Sequence, residues 1–143
     1  MTGMDRRTFV TACACAGAGL LAGCVSMVTH PVPVTDGRVR LSLASFPDLT
    51  APAGAIKIQP AQLPDPMYVL ALGGGSYVAV SPICTHRGCT VDVQGPRLVC
   101  PCHGSTYTRS GEVLRGPAQR PLAQFPLTMD GDAIVIDLAS QAS

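Results

Sequence analysis

The sequence predicts an all-β protein built from many short strands. Two observations predict it. No window sustains a 3.6-residue apolar period, whereas several short runs alternate with period two. Thirteen Pro and fifteen Gly among 143 residues favour many turns over a helical bundle. The length accommodates one small domain plus a leader and excludes a second full-sized domain. A net charge of +1 excludes a polyanion-binding role for the whole chain, so no nucleic acid is expected as a partner. Seven Cys is a high count for a cytosolic protein, so thiol, disulfide or metal chemistry has to be accounted for.

Residues 1–23 read as an export signal: MTGMDRR, then the uncharged run Thr8–Gly23. Arg6-Arg7 with Phe9 resembles a twin-arginine signal, although Asp5 and Thr11 depart from its usual residues. Leu21-Ala22-Gly23-Cys24 looks like a bacterial lipobox, which makes Cys24 the expected lipidation site. The alternative is an uncleaved leader, in which the 22 uncharged residues Thr8–Thr29 form a weak membrane span. Either way the domain is expected outside the cytoplasmic membrane and tethered to it. Residues 24–37, with Pro31 and Pro33, read as an extended tether, and His30 within it as a solvated linker residue.

From Arg38 onward the runs Val39–Leu43 and Ala55–Ile58 alternate as strands do. Met67–Leu72 and Tyr77–Val80, joined by Gly73-Gly74-Gly75-Ser76, read as a hairpin. No helix start or Lys follows those glycines, so a phosphate loop is excluded. Ala133–Leu138 is a further strand, reached through the Asp130-Gly131-Asp132 turn. These 106 residues form a small core that a cofactor or disulfide would usefully reinforce.

The chemistry concentrates in two segments, Cys84-Thr85-His86-Arg87-Gly88-Cys89 and Cys100-Pro101-Cys102-His103-Gly104-Ser105-Thr106-Tyr107. C-x-H and C-x-x-H are separated by thirteen residues, with one extra Cys in or beside each half. Two loops closing on each other can present two thiolates and two imidazoles to metal. Zinc could take the same four ligands, although C-x-H is tighter than usual zinc spacing and the extra Cys pair is then unexplained.

CTHRGC and CPCHGSTY resemble the two signature boxes of Rieske iron–sulfur proteins. The resemblance implies a [2Fe–2S] cluster, with Cys84 and Cys100 on one iron and His86 and His103 on the other. It also implies a disulfide between Cys89 and Cys102 that clips the two loops together. Neutral imidazoles in place of two thiolates raise the reduction potential. Ser105 and Tyr107 stand where respiratory Rieske proteins place hydroxyls that hydrogen-bond to a bridging sulfide and a Cys sulfur. With the disulfide, they suggest the high-potential branch. No His remains for a mononuclear iron, so the chain is not a ring-hydroxylating oxygenase.

The resemblance implies a Rieske domain spanning 38–143, an antiparallel β-sandwich base with a small cluster-binding subdomain inserted at about 82–122. Gly111–Ala118 resembles the family's strand and proline loop, but Gln119 replaces its second Pro. The hairpin Val91–Val99 is short, turning at Gln94-Gly95-Pro96. Arg87 stands where quinol-oxidising members commonly carry Leu, and a charged tip is penalised in an apolar docking crater. Between residues 84 and 125 five Arg oppose two acids. That excess is either a face that steers an acidic redox partner or ordinary solvated surface. The function implied is electron transfer, without a catalytic site of its own. One reading is a tethered carrier or the small subunit of a periplasmic oxidoreductase resembling arsenite oxidase. The other is the iron–sulfur subunit of a ubiquinol–cytochrome c oxidoreductase, with His103 hydrogen-bonding quinol. The partner expected is a c-type cytochrome or a larger catalytic subunit.

Overall fold

A computed structural model of the chain describes residues 26–140. Residues 1–23, expected to be an export signal, and Cys24 therefore lie outside the described residues. The regular structure is almost entirely strand, with one 3-10 turn at Pro47–Thr50. Among the described residues no helix is long and apolar enough to cross a membrane.

Strands β1 (Thr29–Val32), β2 (Arg38–Ser42), β3 (Ala55–Pro60), β4 (Met67–Gly73) and β5 (Ser76–Val80) come first. The short strands β6 (Asp92–Gln94), β7 (Arg97–Val99), β8 (Thr106–Thr108) and β9 (Val113–Arg115) follow, and β10 (Gln124–Phe125), β11 (Leu127–Asp130) and β12 (Ala133–Asp137) end the chain. They form a five-stranded sheet ordered β1-β3-β4-β5-β10, a three-stranded sheet β11-β12-β2 and a four-stranded sheet β6-β7-β8-β9.

The hairpin between β4 and β5 turns at Gly74 and Gly75, whose φ values of +61° and +75° would strain a side-chain-bearing residue. The continuous apolar run of β4 has a physical cause: both of its faces are covered. Met67 and Val69 point with Ile56, Ile58 and Ala79 toward Val39, Leu41, Ile134 and Ile136 of the three-stranded sheet. Tyr68 and Leu70 point with Val78 and Val80 the other way, against Val91, Leu98, Tyr107 and Leu122. The five-stranded sheet is thus the middle of three layers, and burial on both sides removes the polar alternation a solvated face would show.

The outer four-stranded sheet is an insertion between β5 and β10. Those two strands pair with each other, Val80 opposite Gln124, and the Ser81 amide donates to the Ala123 carbonyl at 2.8 Å. The excursion therefore starts and ends at one place on the middle sheet.

The start of the domain differs from the sequence expectation. Thr29–Val32, read as part of a tether spanning 24–37, pairs in parallel with β3 from Thr29↔Lys57 to Val32↔Pro60. Val32 is buried and Val34 packs on the same core. Prolines suggested a solvated linker, but β1 is an edge strand, where Pro31 can be accommodated. The base is correspondingly not wholly antiparallel. His30 is not a solvated linker residue either: its half-buried ring meets Phe46 edge-on, centroids 5.5 Å apart.

Arg109, between β8 and β9, locks the layers together. Its guanidinium donates to the carbonyls of Ala71, Gly95, Ala53 and Gly54 at 3.1, 2.6, 3.0 and 2.6 Å. These acceptors lie in β4, in the β6–β7 turn and in the loop before β3, so one side chain ties the insert to the base. Burial holds its pKa below the usual guanidinium value. Arg109→Ala should therefore lower the unfolding free energy by about 3 kcal/mol, the scale of a lost buried charged hydrogen-bond network. Arg109→Lys should recover less than half of it, because an ammonium cannot reach four carbonyls. Guanidinium chloride unfolding followed by circular dichroism checks both variants.

Candidate metal centre

Two loops of the insert carry the site, and they share one backbone turn. In the first, the Cys84 amide donates to the Cys89 carbonyl at 2.8 Å and the Gly88 amide to the Cys84 carbonyl at 2.9 Å. In the second, the Cys100 amide donates to the Ser105 carbonyl at 2.8 Å and the Gly104 amide to the Cys100 carbonyl at 3.0 Å. Gly88 and Gly104 take φ values of +79° and +78°, which the turn requires and which disfavour any side chain. Each turn opens on a buried thiol, Cys84 or Cys100. The imidazole follows two residues later in the first loop and three later in the second, so the sequences match less well than the backbones.

The structure brings the residues selected from sequence together. Cys84 and Cys100 are free thiols, 2% exposed, facing each other at the bottom of the site. The rings of His86 and His103 meet edge-on at the outer end, centroids 4.9 Å apart. Cys89 and Cys102 form a disulfide with Cα atoms 6.5 Å apart, which joins the two turns. The sulfur atoms of Cys89, Cys100 and Cys102 also cluster within 4.8 Å. Two of those three are committed to the disulfide, so that proximity is not a ligand set.

Two hydroxyls stand behind the thiols. The Tyr107 hydroxyl lies 3.3 Å from Cys84 Sγ and receives the Thr85 amide at 3.3 Å. Ser105, fully buried, accepts from the Ala118 amide at 3.0 Å, which ties the Gly116-Pro117-Ala118 loop over the site. Burial pushes the Cys84 thiol up, but hydrogen bonds from Tyr107, the His86 amide, Cys100 and Ser105 outweigh it and hold the thiol below its usual value. Burial and the adjacent Cys84 raise Cys100. Tyr107 is raised by burial and by its bond to Cys84. The environment thus favours a thiolate at Cys84, the form that binds metal.

One atom tests whether a metal group fits. His86 Nδ1 is buried and, among the described residues, is the only buried side-chain nitrogen or oxygen without a hydrogen-bond partner. A buried imidazole nitrogen left unpaired costs free energy unless something ligates it. The His86 ring lies beside the His103 imidazole, and the same two loops hold the free thiols Cys84 and Cys100, so the donor set suits a group that takes two sulfurs and two nitrogens.

Fold and site define an all-β protein whose inserted loops build a two-thiol, two-imidazole metal centre. The sequence pattern of the Rieske [2Fe-2S] domain matches residues 53–126. The cytochrome b6-f complex iron-sulfur subunit of Chlorobaculum tepidum is 39% identical over 109 residues, 75% of this chain and 59% of that protein. The chain therefore spans less than two thirds of that relative's length. Among solved structures, the plasma membrane Rieske protein PetC3 from Synechocystis PCC 6803 is 36% identical with a TM-score of 0.56, covering 67% of this chain and 94% of that one. A hyperthermophilic respiratory complex III aligns at 25% identity and a TM-score of 0.51, covering 66% and 71%. The chain belongs to the Rieske [2Fe-2S] domain family and is an iron–sulfur electron-transfer protein.

Sequence reading missed three supports. Thr85 donates its hydroxyl to the Arg120 carbonyl at 2.7 Å and lies 3.2 Å from the Tyr107 hydroxyl. Tyr68 donates to the Val91 carbonyl at 2.7 Å, pinning the first loop to the middle sheet. Arg109 is the third. Thr85 lies inside a motif and was visible there; the other two carry no local signal.

Tyr107→Phe should keep the cluster and lower its midpoint potential by about 60 mV, the one-electron equivalent of about 1.4 kcal/mol for a hydrogen bond to sulfur. Potentiometric titration followed by electron paramagnetic resonance reads it, and an unchanged potential would remove Tyr107 from that role. Cys89→Ser should destabilise the loops by about 3 kcal/mol, the loop-closure effect of a cross-link of this span. Visible absorbance during thermal unfolding checks it, and a cluster lost no earlier than in the parent chain would refute the clip.

Proposed function

We propose that this chain is a high-potential one-electron carrier tethered to the outer face of the cytoplasmic membrane, working alone or as the small subunit of a periplasmic oxidoreductase. Cys84 and Cys100 would hold one iron of the cluster, and His86 and His103 the other. When bound, the cluster supplies reversible one-electron chemistry, centred on the histidine-ligated iron. The residues of the chain do the rest. The fully buried Ser105 and Tyr107 place hydroxyls at the sulfur end and stabilise negative charge there. The disulfide keeps the two loops in register, and the Ala118 amide ties the Gly116–Ala118 loop to Ser105. His103 is exposed and His86 half-buried, so the imidazole edge is the side from which electrons pass.

That one-sided exposure is the observation that carries the reading: thiols shielded and imidazoles open. The export signal at residues 1–23 and the lipobox at Cys24 support the location. So does the name of the 36% identical relative, a plasma membrane Rieske protein. The exposed Arg87 beside His86 disfavours docking in an apolar crater.

A second reading has its own support. The curated relative at 39% identity is a subunit of a cytochrome b6-f complex, which favours a place in a quinol-oxidising complex with His103 as the quinol contact. Purifying the C-terminally tagged chain from native membranes in mild detergent separates the two. A reduced-minus-oxidised spectrum free of b-type haem is expected, while stoichiometric b haem would establish the quinol-oxidising reading instead.

A further inference from the structure

Three loops frame the outer end of the site: residues 84–90, 100–105 and 115–121. Their only charged residues are Arg87, Arg115 and Arg120, all exposed; none of the loops contains Asp or Glu. The fold collects these arginines around the histidines. Arg87 follows His86 directly. Arg115 stands opposite Thr106 across β8 and β9, three residues beyond His103. The Arg120 carbonyl accepts from Thr85 Oγ1 at 2.7 Å, which holds this residue beside the first loop.

The acids of the insert lie elsewhere. Asp92 is on β6, the edge of the four-stranded sheet opposite β9. Glu112 is in the β8–β9 connection, where its carbonyl accepts from the Thr108 amide, at the end away from the histidines. Among the described residues the one ion pair is Arg40–Asp130, on the base, so none of the three arginines is paired. Between them the surface is uncharged, with His103, Pro101 and Pro117 exposed.

We infer that this arginine ring is the docking surface for a redox protein whose electron-accepting edge is rimmed by acidic side chains. The inference rests on the electron-transfer reading above and specifies its partner. Single exposed charges contribute little in pairs, but several of one sign around one spot set up a field that steers encounter and fixes orientation. An uncharged centre within a charged rim suits a brief contact, of the small area usual in redox encounters. An apolar crater would have to strip water from three guanidinium groups. An anionic lipid surface would satisfy the charges but would press the histidine edge against headgroups, where no acceptor sits.

The test uses the cluster-loaded full chain in detergent and one haem probe in two charge forms: basic cytochrome c and the same protein with its lysines succinylated. Binding is followed by amide chemical-shift titration of the oxidised chain. Transfer is followed by stopped flow, as one electron leaves the reduced chain and ferric haem becomes ferrous, with no bond made or broken. The succinylated form should bind more tightly and be reduced at least about tenfold faster at about 20 mM ionic strength, an advantage lost near about 0.5 M. Shifts should concentrate in the three loops. The triple variant Arg87→Gln, Arg115→Gln, Arg120→Gln should lose the preference, each single variant part of it, and Arg97→Gln none.

A preference for the basic form, no preference at low salt, or a triple variant that behaves as the parent overturns the inference. So does binding of the three loops to phosphatidylglycerol vesicles without discrimination between the haem forms. Failure of the carrier reading looks different: neither form is reduced at any salt, while the titration still reports whether the ring recognises acidic surface.

Discussion

Holding two thiols in contact inside a small domain, both 2% exposed, is the constraint around which the rest of the structure is organised. Burial alone would keep such thiols protonated and poor as ligands. Hydrogen-bond donors on the sulfurs are the remedy, and the structure supplies them from two kinds of source. The paired turns aim backbone amides inward, which costs no side-chain entropy, and Tyr107 and Ser105 add hydroxyls that are themselves fixed by Thr85 and the Ala118 amide. The effect is uneven. The Tyr107 and Ser105 hydroxyls and the His86 amide bear on Cys84, and the Cys102 and His103 amides on Cys100, where burial and the neighbouring Cys84 thiol act against them.

Such donors act only if their positions are rigid, and rigidity comes from the layer beneath. The middle sheet is covered on both faces, so Tyr68, Leu70, Val78 and Val80 form a floor on which the insert packs. The insert leaves and rejoins that sheet on two paired strands, Arg109 ties its far turn to the base, and the disulfide ties its two site loops to each other. The three restraints act at different places: the stem, the far hairpin and the tip. Every loop that holds a donor therefore lies between two fixed points.

The legibility of the sequence follows from the range of the forces involved. That the two loops meet was readable because six residues of demanding chemistry recur at fixed spacing, and the turns that carry them are local. The hairpin at Gly74-Gly75, the alternation of β2 and β3 and the strand β12 were readable for the same reason. The limits of the domain were not. Pro31 and Pro33 argued for a linker, and only the tertiary pairing of β1 with β3 turns Val32 into core. Arg109 was counted among the surface arginines, since nothing local distinguishes a guanidinium that reaches carbonyls 14 to 56 residues away from one in water. The shared backbone turn of the two site loops was also hidden, because the imidazole falls at a different position in each.

The two ends of the site differ in what surrounds them, and that difference bears on how electrons pass. The sulfur end is buried against the middle sheet and Tyr107, with both thiols shielded from solvent. The imidazole end is open and framed by loops whose charges are all of one sign. On the reading proposed above, a partner approaches on the face where Arg87 stands. Leu at that position would favour a dry apolar crater, and Arg favours a hydrated, oppositely charged rim. Relatives named for a cytochrome b6-f complex and a respiratory complex III share this scaffold. On the reading proposed above, the residue that follows His86 can therefore change what docks without touching the donors beneath it.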